Sequence, residues 1–83
     1  MILIYKDKQH KFRAIGVTLR MLRKKHGYTQ EQIAEKLFIS RQAYCFWESE
    51  RSEIPLFSFL KLADIYSMSL EELIHVFLVE DLD

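Results

Sequence analysis

Residues 29–55 read TQEQIAEKLFISRQAYCFWESERSEIP, and the spacing of their apolar positions decides the fold. Ile33, Ala34 and Leu37 share one helical face between Gln30 and Leu37, and Tyr44 and Trp47 share another between Arg41 and Glu48. Thr29 stands at the N-cap of the first helix, and Gln32, three residues on, completes a capping box. Ser40 caps the second helix, which leaves Phe38, Ile39 and Ser40 as a tight corner. Ala34 sits where the two helices cross, because a larger side chain would hold them apart.

Outward from this pair the chain stays helical. From about Phe12 to His26 the period predicts a helix with Ile15, Leu19, Leu22 and Phe12 toward the core. Lys24, Lys25 and His26 precede Gly27, a basic last turn followed by a left-handed cap. The polar run ESERSEIP, residues 48–55, forms a loop that Pro55 restricts. A fourth helix is predicted from about Leu56 to Tyr66, burying Phe59, Leu60, Leu62 and Ala63. Ser69 caps a fifth, with Glu71 and Glu72 favourably placed in its first turn. The expected fold class is all-α, a compact five-helix bundle with short strands or extended segments at the termini.

Those termini leave choices open. MILIY, residues 1–5, favours a strand, and HVFLVE, residues 75–80, has more apolar positions than one helix face needs. Val76, Leu78 and Val79 would leave an apolar patch on a monomer. The two ends either pair as strands within or between chains, form a helical dimer seam, or cover each other inside one chain. The division is a 1–11 extension, a 12–77 domain and an acidic 78–83 tail.

Eighty-three residues allow one domain with a modest core, and 49% hydrophobic content excludes a disordered chain. MILIY is too short for a signal peptide, and its basic residues follow the apolar run instead of preceding it. No apolar run approaches the roughly 18 residues of a membrane span. One cysteine fits a reducing cytoplasm. The zero net charge is divided: residues 1–42 hold ten Lys/Arg and three Asp/Glu (+7), residues 43–83 two and nine (−7). Such polarity offers one face to phosphates and another to solvent or a partner.

The words LRMLRKKHGYTQEQIAEKL, ISRQAY and WES, and the spaced residues from Pro55 to Leu73, occur together and in order. Over roughly Ile15 to Ile74 the chain resembles the Cro and phage-repressor helix-turn-helix regulators, the xenobiotic-response-element family with the lambda-repressor-like fold. That resemblance implies a second helix that enters the DNA major groove. It also implies that Gln30 grips the backbone and braces the first residues of the reading helix, and that Arg23 and Glu48 form an internal ion pair. Arg51, in the loop after the reading helix, becomes a phosphate contact. Two departures stand out: Phe38 replaces the usual turn glycine, and Ser49-Glu50 replaces Asn-Gly. Glu50 and Glu53 would set negative charge near phosphates unless the loop turns away.

With Tyr44 and Trp47 inward, Ser40, Arg41, Gln42, Cys45, Phe46 and Ser49 are left outward. Arg41 matches guanine O6 and N7, or binds phosphate or a nearby acid instead. Gln42 matches adenine. Cys45 is a small groove-facing side chain, and Phe46 either meets a thymine methyl or packs on the following loop. Thr29, Gln30 and Ser40 stand at helix N-termini, where phosphates bind. His10, His26 and His75 lack metal-ligand spacing, and no catalytic constellation is present. The expectation is therefore a non-enzymatic, cofactor-free, cytoplasmic DNA-binding regulator, a homodimeric repressor on an inverted repeat. The alternative is an antitoxin or anti-regulator acting mainly through a protein partner.

Overall fold

Satisfied helix ends set the element boundaries. The computed structural model describes residues 10–12 and 14–80. It contains β1 (His10–Phe12), α1 (Ile15–Lys25), α2 (Gln30–Leu37), α3 (Arg41–Glu48), α4 (Leu56–Ile65), α5 (Leu70–Phe77) and β2 (Leu78–Glu80). Thr29 Oγ1 accepts from Gln32 N at 3.0 Å while Gln32 Oε1 accepts from Thr29 N at 2.8 Å. Ser69 and Glu72 repeat this box at α5 with the same two distances. Ser40 Oγ accepts from Ala43 N at 3.0 Å and starts α3. Each such cap satisfies N–H groups that the helix itself cannot.

Four left-handed residues among those described end helices. Gly27 has φ 78° after the basic last turn of α1, a conformation that glycine adopts without steric penalty. Phe38 ends α2 at φ 60°, and Ser67 follows α4 at φ 56°. The fourth, Glu50 at φ 62°, lies just past α3.

The helices close around one core of Leu19, Leu22, Ile33, Leu37, Tyr44, Trp47, Leu62, Tyr66, Leu73 and Phe77, with Ala34 and Ala63 buried among them. α3 packs on both α1 and α2, while α4 and α5 pack on each other and on α2 and α1 respectively. Three expectations are corrected. α1 begins at Ile15 and not near Phe12, because residues 10–12 are taken up by β1. Ile15 is 44% exposed at the first turn of α1, where it overlooks a groove instead of the core. Leu60 is 41% exposed, since the buried stripe of α4 runs through Phe59, Leu62, Ala63 and Tyr66.

The two ends meet within one chain. β1 and β2 pair antiparallel, with His10 opposite Glu80, Lys11 opposite Val79 and Phe12 opposite Leu78. Val76 packs against the core from α5. The strand expected at MILIY lies outside the described residues.

Candidate nucleic-acid interface

Helix α3 is held from beneath and open above. Tyr44 is fully buried, Trp47 is 5% exposed, and their rings meet edge to face at 5.8 Å. With that face fixed, Ser40, Arg41 and Gln42 stand exposed at the start of α3, and Ser49 at its end. Cys45 and Phe46 are half-buried. Thr29 is exposed at the mouth of α2, with half-buried Gln30 beside it.

A polar junction ties α3 to α1 and α2. Arg23 Nε donates to Glu48 Oε2 at 2.7 Å, and its Nη2 donates to Oε1 at 3.2 Å. The same guanidinium donates to the Tyr28 carbonyl at 3.0 Å, so it also holds the loop between α1 and α2. Gln30 Nε2 donates to Glu48 Oε1 at 3.0 Å, and Cys45 Sγ donates to Gln30 Oε1 at 3.0 Å. Gln30 therefore links two residues one turn apart on α3. Arg23 and Glu48 are 8% and 5% exposed. Burial acts to raise the Glu48 pKa, but the groups of Arg23, Tyr44 and Gln30 arrayed around it outweigh burial and hold it below the ordinary carboxylate value. The hydrogen bond to Glu48 outweighs burial at Arg23 and raises its pKa further.

Above this junction, Tyr44 and Tyr66 carry buried hydroxyls that reach no hydrogen-bond partner in good geometry among the described residues. Burial, reinforced by the neighbouring Glu48 carboxylate, pushes both phenols up, so both stay neutral.

Glu50 does not face outward as a bare acid. Its left-handed backbone turns the carboxylate to α1, where Oε2 accepts from Gly16 N at 2.9 Å. α1 has no side-chain cap of its own, so Glu50 supplies one across the fold. Gly16 is required there, because a Cβ would collide with the Glu48 carbonyl. Arg51 is exposed with its guanidinium 5.9 Å from the Phe46 ring centre, and its N–H donates to the Phe46 carbonyl at 2.8 Å. Phe38 is 83% exposed, with Lys61 Nζ 4.2 Å from its ring centre.

Residues 19–73 match the helix-turn-helix family. The chain belongs to that family. It is 42% identical over 53 residues to YobD, an uncharacterized HTH-type transcriptional regulator of Bacillus subtilis strain 168. That match covers 64% of this chain and 47% of YobD, so the chain spans about half the length of that relative. A transcriptional regulator from Listeria innocua superposes with a TM-score of 0.65 and 27% identity, covering 81% of this chain and 60% of the other. The biofilm master regulator SinR, solved in complex with DNA, shares the fold at a TM-score of 0.61 and 23% identity, over 71% of this chain and 95% of SinR.

Within this helix-turn-helix chain, two polar links were not read from the residues. The Glu50–Gly16 cap joins positions 34 residues apart, and the Cys45–Gln30 bond joins positions 15 apart. Arg20 is a third omission, with its Nε 3.7 Å from Glu48 Oε1. Its signal was present, because Arg20 precedes Arg23 by one helical turn and shares its face.

Proposed function

We propose that the chain is a sequence-specific double-stranded DNA-binding regulator, a cytoplasmic homodimeric repressor acting on an inverted-repeat operator. One observation carries the reading: Arg41 and Gln42 are exposed on the first turn of a helix whose opposite face is locked by Tyr44, Trp47 and the Glu48 junction. A rigid helix with a free polar N-terminal turn is what base readout in a major groove requires. In this reading Arg41, Gln42, Cys45 and Phe46 face the bases. Thr29, Gln30, Ser40 and Arg51 hold the phosphates, while Arg23 and Glu48 keep the helix in place.

The homodimer is supported by a groove of about 760 Å³ at the C-terminal end of the reading helix. Ile15, Trp47, Ile54, Leu56, Phe59 and Ile74 line it, and Leu56 is 72% exposed. Two copies related by a two-fold axis can cover these apolar side chains with one another. The protein-partner alternative drew on Phe46, Glu50 and Glu53, and of these the Glu50 carboxylate is engaged on α1.

Selection of bound duplexes from a random library tests the reading. Paired, inverted half-sites centred about 34 Å apart, one helical turn, are expected. Single half-sites without symmetry would remove the dimer, and no enrichment at low salt would remove DNA binding.

A further inference from the structure

We infer that Arg20 is a phosphate-binding residue of the duplex interface, positioned by the same carboxylate that anchors the reading helix. The inference rests on the DNA-binding reading and adds a contact from α1, an element that contributes none of the residues placed at phosphates above.

Glu48 is already satisfied without Arg20. Its Oε2 accepts from Arg23 at 2.7 Å, and its Oε1 accepts from Arg23 at 3.2 Å and from Gln30 at 3.0 Å. The Arg23 guanidinium balances its charge. Arg20 Nε stands 3.7 Å from Oε1, within Coulomb range but beyond a hydrogen bond, and its side chain is 51% exposed. A half-exposed pair of this kind contributes little to folding. What the carboxylate does is steer the guanidinium and limit its rotamers.

The place to which it is steered matters. Arg20 and Gln30 converge on one oxygen, Glu48 Oε1. Gln30 opens α2 beside the N-cap Thr29 and reaches Cys45 on the reading helix. The Arg20 fork therefore lies next to the phosphate-binding end of α2 and on the same side as the reading helix. A guanidinium matches two phosphate oxygens at once, and a phosphate carries a full charge that no partner in the protein has yet neutralised. Pre-orientation by Glu48 lowers the ordering cost of that contact.

The test is a fluorescence-anisotropy titration of the full chain on its selected duplex and on random duplex, across a series of salt concentrations. Arg20→Ala is expected to bind both duplexes more weakly by a similar factor. Its plot of log K against log salt should be shallower by about 0.9, the loss of one phosphate contact. Arg20→Lys should recover most of that slope, and thermal melts of both variants should match the wild type. An unchanged slope in Arg20→Ala, with wild-type binding intact, overturns the inference, whether or not the melt shifts. If Arg20→Ala does not fold, Arg20→Gln is read in the same way. Failure of the wild type to bind any duplex at low salt overturns the DNA reading itself, a separable result.

Discussion

The two halves of this bundle are built on opposite principles. Where α1, α2 and α3 meet, a buried ion pair and its amide and thiol neighbours fix one arrangement: Arg23, Gln30, Cys45 and Glu48 are joined by contacts of 2.7 to 3.2 Å. Where α4 and α5 pack, apolar side chains stay open to solvent beside charged ones, with Leu56, Phe57, Leu60, Leu70 and Ile74 all at least 40% exposed. Hydrogen bonds are directional, so the first half holds a helix at one angle. Apolar contact is not directional, so the second half suits association with another surface. In the proposed function, orientation serves the reading of bases and adhesion serves the contact between copies.

Breaking the polar half should have the largest effect. Glu48→Ala strands the Arg23 guanidinium, and urea denaturation should show a loss of about 3–5 kcal/mol. A loss below about 1 kcal/mol would mean that packing alone orients α3. Acid should reveal the same group. Because the folded-state pKa of Glu48 is depressed, its stabilisation is complete above the ordinary value of 4.5 and disappears as pH falls below it. The wild type should therefore lose stability more steeply than Glu48→Gln as pH falls below 4.5, followed by thermal melts.

Arg41→Ala sharpens the contrast from the solvent side. It should keep the fold and lose about 1–3 kcal/mol of discrimination between the selected operator and a variant base pair. Retained selectivity in a competition assay would remove Arg41 from base reading. On the apolar half, Leu56→Asp should leave the melt within about 0.5 kcal/mol of wild type. Sedimentation should show self-association at least tenfold weaker, about 1.4 kcal/mol or more. Undiminished dimers would move the interface away from the groove.

The smallest effect belongs to Phe38. Glycine there relieves a left-handed backbone by about 1 kcal/mol but removes a ring from Lys61, a contact worth about 0.5–1 kcal/mol at an exposed site. Phe38→Gly should accordingly change stability by less than about 1 kcal/mol and gain more when Lys61 is already alanine. Equal gains in both backgrounds would show that the Lys61 stack contributes nothing.

Much of this was legible in the residues. The α2–α3 pair, its caps at Thr29 and Ser40, the left-handed Gly27 and the second capping box at Ser69 all depend on neighbours three or four positions away. The inward turn of Tyr44 and Trp47 followed from the same period. Ile15 and Leu60 were misjudged because a helix face wider than its contact reads the same in sequence as one fully covered.

Sequence by itself thus determined the five helices, their capped ends and the polar side of α3, but not the start of α1, since short-range periodicity and capping act within one or two turns. Only the tertiary structure decided that β1 meets β2 in one chain, that Glu50 caps α1 through Gly16, and that Arg20 comes alongside Glu48. Those contacts join residues far apart in the chain, 34 positions for Glu50 with Gly16. No local spacing encodes such pairings, which arise only when packing of the shared core brings the elements together.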